Sequence, residues 1–100
     1  MYIFSFEKLK VWQDAIELSK EVYKITSTFS NDEKFGLVSQ MRRATNSIAA
    51  NLAEGTSRNT NKDKAHFTTI AYSTTMEVLN HVILSKELEF ITEENYLELR

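Results

Sequence analysis

Residues 29–55, FSNDEKFGLVSQMRRATNSIAANLAEG, decide the fold. Within them Leu37, Val38, Met41, Ala44, Thr45, Ile48 and Leu52 recur mostly at spacings of three and four, which stacks them on one face of a helix. Ser30 with Glu33 three residues later has the pattern of a capping box, in which the Ser oxygen takes an orphan backbone N–H and the Glu side chain reaches back. Gly55 reads as the stop, because glycine readily takes the left-handed conformation just past a helix. The stretch therefore predicts one long helix, with the rest of the chain placed to cover it.

Working outward, residues 5–28 predict a first helix. Val11, Ala15, Leu18, Val22, Ile25 and Phe29 form one stripe, and Leu9, Trp12, Ile16, Ser19 and Tyr23 form a second about 100° further round. Two stripes imply burial on two sides, either at the centre of a bundle or against another subunit. On the other side, TSRNTN at residues 56–61 has the small polar composition of a loop, short enough to return the next helix antiparallel. Thr60 or Asn61 is expected to cap that third helix, with Asp63 in its first turn, and it runs to about Leu88. Its main stripe is Phe67, Ala71, Thr74, Val78, Val82 and Ser85, and Tyr72, Leu79 and Ile83 again make a second. Leu9, Trp12, Ile16, Tyr23, Tyr72, Leu79 and Ile83 are thus the candidate oligomer interface.

Thr92 caps a fourth helix that opens with Glu93 and Glu94, as the helix dipole favours, and carries Tyr96, Leu97 and Leu99. It is expected as a stub. The whole is an all-α, antiparallel up-down-up-down four-helix bundle with a short or truncated fourth helix, one domain across residues 1–100.

Composition agrees. With no Pro and only two Gly in 100 residues, tight hairpins have few turn residues to use, and 42% hydrophobic with 26% charged residues suits an ordered domain. The absence of Cys points to a reducing compartment and a cytoplasmic location. MYIFSFEKLK has no basic flank ahead of its apolar residues and does not read as a signal peptide. No apolar run approaches the roughly 20 residues that span a bilayer, so no membrane partner is expected. A net charge of -2 lacks the global footprint of a nucleic-acid binder. Only a local patch could serve, and Arg42, Arg58, Lys62 and Lys64 are the candidate phosphate contacts. The plainer reading of those four is a charged loop.

A polar strip of Gln40, Arg43, Ser47, Asn51 and Glu54 lies about 100° from the core stripe of the second helix. It reads as a solvated face, a binding surface, or a structural polar network in which Glu77 of the third helix pairs with Arg43. Catalytic readings fare worse. His66 and His81 are fifteen residues apart, there is no Glu-x-x-His pair, and no phosphate loop or nucleophile elbow occurs. No catalytic residue, metal site or cofactor is expected, and the chain reads as a non-enzyme.

Taken together, the motifs resemble the bacterial four-helix-bundle family called S23, or 23S rRNA intervening-sequence proteins. The likeness rests on Phe6, Leu9, Val11, Trp12 and Ala15, then Phe29, Glu33, Phe35, Gly36 and Leu37. It continues through Gln40, Arg42, Arg43 and Ala44, the block Ser47-Ile48-x-x-Asn51-x-Ala53-Glu54-Gly55, and Glu77. Ser30 stands where that family usually has Pro, Ser73 and Thr74 replace Gly-Ser, and Glu89 stands where Gly often follows the third helix. The resemblance implies a ring-shaped homopentamer, encoded within insertions in 23S rRNA genes, with RNA (rRNA) or a protein as possible partner. The similar accessory protein of diversity-generating retroelements is a basic pentamer, whereas this chain is acidic.

Overall fold

A computed structural model describes residues 3–33 and 35–99. Met1 and Tyr2, part of the segment read for a signal peptide, lie outside the described residues. Among those described, every regular element is helical: α1 Lys10–Thr26, α2 Leu37–Thr56, α3 Asn61–Glu87 and α4 Glu93–Leu99, with 3-10 turns at Ser5–Lys8 and Asn31–Glu33. The order is up-down-up-down, and α4 is the expected stub. At 1.5 Å per residue the 27-residue α3 spans about 40 Å, most of the 44 Å long axis.

Helix α2 is the hub. It packs against both α1 and α3, whose backbones do not approach each other closely, and α4 bridges those two at one end. Val22, Met41 and Val82 are fully buried between the helices, together with two hydroxyl residues, Thr45 and Ser85. Burying those hydroxyls is tolerable because each donates to a carbonyl of its own helix. Thr45 Oγ1 reaches Arg42 O at 3.1 Å, and Ser85 Oγ reaches His81 O at 2.8 Å. Ser19 Oγ and His81 Nδ1 are buried without a hydrogen-bond partner among the described residues.

The termini of the helices depart from simple sequence logic in three places. The first helix starts at Lys10, because Leu9 adopts extended backbone and Ser5–Lys8 forms a separate 3-10 turn. That turn is fastened by Glu7, whose Oε2 accepts the Phe4 N–H at 2.7 Å while its carbonyl accepts Gln13 Nε2 at 2.9 Å. At the other boundary, Ser30 and Glu33 close a backbone turn, with the Glu33 N–H on Ser30 O at 3.0 Å. Helix α2 begins only at Leu37, with Gly36 at its cap and no side-chain cap bond. Finally, Gly55 is not a left-handed stop: it lies inside α2, which runs on to Thr56, and no Gly has positive φ.

Packing explains that glycine. A Cβ at Gly55 would lie 3.2 Å from Phe67 Cβ, so the bare backbone lets α2 and α3 cross closely beside the connecting loop. The positive φ is instead at Glu89, at 63°. There the Phe90 N–H bonds Ser85 O at 2.8 Å and the Glu89 N–H bonds Lys86 O at 2.9 Å. That is a Schellman ending with a glutamate in the glycine position. Thr60 and Thr92 do cap as read: Thr60 Oγ1 accepts the Asp63 N–H and Thr92 Oγ1 accepts the Asn95 N–H, both at 3.1 Å.

Candidate nucleic-acid and assembly surfaces

The four candidate phosphate contacts fall into two groups. Arg42 is committed within the chain: Nε donates to Thr26 Oγ1 at 3.0 Å, a terminal nitrogen donates to Tyr23 O at 3.2 Å, and the guanidinium lies 4.6 Å from the Tyr23 ring centre. It places a positive charge beside the carboxyl end of α1, as the helix dipole favours. Asn46 adds a bond to the Tyr23 hydroxyl at 2.8 Å. Arg58 is likewise engaged, with Glu54 at 2.6 Å and with the Phe67 ring at 4.6 Å. Lys62 and Lys64 differ. Both are exposed in the first turn of α3, and neither joins an ion pair among the described residues.

The polar strip of α2 is surface, not interior. Gln40, Arg43 and Glu54 are exposed, and Ser47 and Asn51 half-buried. Asn51 turns back on its own helix, donating to Ser47 O at 2.8 Å and Ser47 Oγ at 2.9 Å. Gln40, Arg43 and Ser47 face Thr74 and Glu77 across a groove of about 200 Å³. Arg43 and Glu77 share that groove, but the ion pair read for them is not formed. Both side chains reach water, so neither needs the other to offset desolvation.

The seven candidate interface residues also divide. Trp12 and Ile16 are half-buried against the core, Trp12 meeting Phe6 edge to face at 5.2 Å, and Leu79 is half-buried. Tyr23 is held beneath Arg42. Leu9 and Ile83 sit near the exposed boundary, and Tyr72, 69% exposed, projects furthest. Sequence reasoning missed its neighbour Met76, 47% exposed, which with Tyr72, Leu79 and Ile83 continues a spacing of four, three and four. That spacing was the available signal.

Val11, assigned to the core stripe of the first helix, instead lines an open apolar groove of about 320 Å³ with Ile48, Leu52, Ala71, Tyr72 and Leu18, the last of which also packs against the core as read. Val11 is 57% exposed. The reason is α4: it covers only one end of the gap between α1 and α3. Where it does sit, Lys86 Nζ meets Glu93 Oε2 at 3.1 Å and lies 4.7 Å from the Tyr96 ring centre. The hydrogen bond that Lys86 donates to the Glu93 carboxylate raises the pKa of its ammonium above the ordinary lysine value. Among the described residues, no group of three or more His, Cys, Asp or Glu is placed to hold a metal ion.

The chain as a whole resembles a known family. It matches the family described as 23S rRNA-intervening sequence protein over residues 7–100. The chain belongs to that family. Comparison with curated proteins gave no match. In this 23S rRNA-intervening sequence protein the signature block plays mainly structural parts. Ile48 fills the core, Asn51 and Ser47 bond to each other one turn apart, Glu54 holds Arg58, and Gly55 admits Phe67.

Proposed function

We propose that this chain is a non-enzymatic, oligomeric helical-bundle protein that associates with RNA or the ribosome, as an intervening-sequence protein, with Lys62 and Lys64 as its phosphate contacts. What carries the reading is the placement of those two lysines. They are exposed on the first turn of α3 and join no ion pair among the described residues, with Asn59 and Asn61 close by, while Arg42 and Arg58 are used internally. A cytoplasmic setting fits a chain without cysteine, and among the described residues no helix is long and apolar enough to cross a membrane.

The test is a binding titration against a structured 23S rRNA fragment at several salt concentrations. Binding at low salt that weakens steeply with added salt supports the proposal, and Lys62→Gln with Lys64→Gln should flatten the log–log slope by about 0.7–0.9 per lysine. No binding at low salt sinks it.

A second reading is a protein-interaction module that binds no nucleic acid. The exposed run of Tyr72, Met76 and Ile83 on α3 favours it, since apolar side chains projecting together mark contact surfaces. Absence of RNA binding at low salt, with Met76→Glu abolishing self-association or capture of a protein partner, would shift weight to this reading.

A further inference from the structure

The outward face of α3 carries apolar side chains where a solvated helix would carry charge. Met76, Ile83 and Leu84 are all exposed, and they stand at i, i+7 and i+8 around Asn80, so they share one helical face about 12 Å long. Glu77 belongs to the same face, one turn before Asn80 and seven residues before Leu84. Beside Glu77 lies the polar groove, and Arg43 stands on its α2 wall.

Those two charges are set against each other without meeting. Both are exposed, and neither makes an ion pair or a hydrogen bond among the described residues, although they line one groove of about 200 Å³. Lys10, Lys20, Arg58 and Lys86 have each found a carboxylate. The groove is otherwise lined by Ala44, Ser47, Thr74 and Gln40, whose mostly small side chains leave room for one from outside.

An apolar strip flanked by one charge of each sign is complementary to a copy of itself, because a second copy turned to face it sets each carboxylate opposite a guanidinium. A nucleic acid fits the same strip poorly, since Glu77 repels phosphate and no Lys or Arg stands between Met76 and Leu84.

We propose that a second copy of this chain docks on this face, its own α3 strip against Met76, Ile83 and Leu84, with Glu77 of one copy paired to Arg43 of the other. The inference rests on the oligomeric reading above and assigns its contact surface. Docking excludes water from the groove, so a pair that solvent screens on the free chain gains strength between copies.

Charge reversal with mixing tests this. Arg43→Glu puts two carboxylates in the groove, and Glu77→Arg puts two guanidiniums there. Each variant alone should associate about tenfold or more weakly than the wild type in sedimentation velocity, because like charges then face each other between copies. Both should keep the helical circular dichroism spectrum, since both positions are exposed. Mixed in equal amounts, the two variants should regain most of the wild-type association, because a contact between copies brings each reversed charge to its opposite. Should either reversal unfold the chain, Arg43→Gln and Glu77→Gln serve in the same way: neither alone can form the pair between copies, and the mixture forms one. Recovery on mixing supports the proposal. Variants that associate as the wild type does overturn it, and so does a loss that mixing leaves unrepaired; in both cases the oligomeric reading stands and only its assigned surface falls. A wild type that sediments as a single chain overturns both, and leaves the face to a different protein.

Discussion

At the scale of single residues, the arginines show how tertiary contacts reassign a side chain. Arg42 reads from sequence as part of a basic cluster, yet its guanidinium closes the carboxyl end of α1. Removing it in Arg42→Ala is expected to cost about 1–2 kcal/mol, from lost bonds to Thr26 and Tyr23 and a lost charge at a helix end. A fall in the thermal midpoint of the order of 4–8 °C per kcal/mol would report it. Arg42→Lys should recover only part, because an ammonium cannot bond two acceptors and lie flat on Tyr23 together. An unchanged melting curve for Arg42→Ala would rule out the capping role.

Among the elements, helix starts were readable where the cap is a side chain one turn from its target. Thr60 and Thr92 are such cases, and Thr60→Ala is expected to destabilise the fold by about 1 kcal/mol while Thr60→Asn retains most of it. Urea midpoints for the two variants give the comparison, and equal midpoints would mean the cap contributes nothing. The stop at Gly55 was misread because the same residue type serves two purposes. A glycine that ends a helix and one that admits a crossing helix look alike in sequence, and only the nearness of Phe67 separates them. The capping box at Ser30 failed for a similar reason. The chain must reverse between α1 and α2, and a 3-10 turn at Asn31–Glu33 takes that role before α2 can begin.

For the whole molecule, α3 carries apolar side chains well beyond the stripe that faces α2. Tyr72 and Met76 project from it, 69% and 47% exposed. If they meet a second copy, sedimentation should give a mass several times the 11.6 kDa of one chain. Met76→Glu should then shift the protein toward the single chain with little change in folding, since Met76 takes no part in the core. A wild-type protein that sediments at 11.6 kDa would remove oligomerisation from the proposed function.

Sequence by itself determined the helical class, the order and direction of the helices and most of the core. These follow from periodicity, from capping side chains and from a chain nearly free of turn formers, all of which act over one or two turns. Tertiary structure alone decided which arginines stay available, that Arg43 and Glu77 share an open groove without pairing, and that Val11 faces a gap. Those outcomes depend on what lies across from each side chain, and a helical period fixes only which way it points. The opening stretch, residues 29–55, illustrates both halves: its apolar stripe builds the hub by local rhythm, while Gly55 takes its meaning from a phenylalanine on another helix.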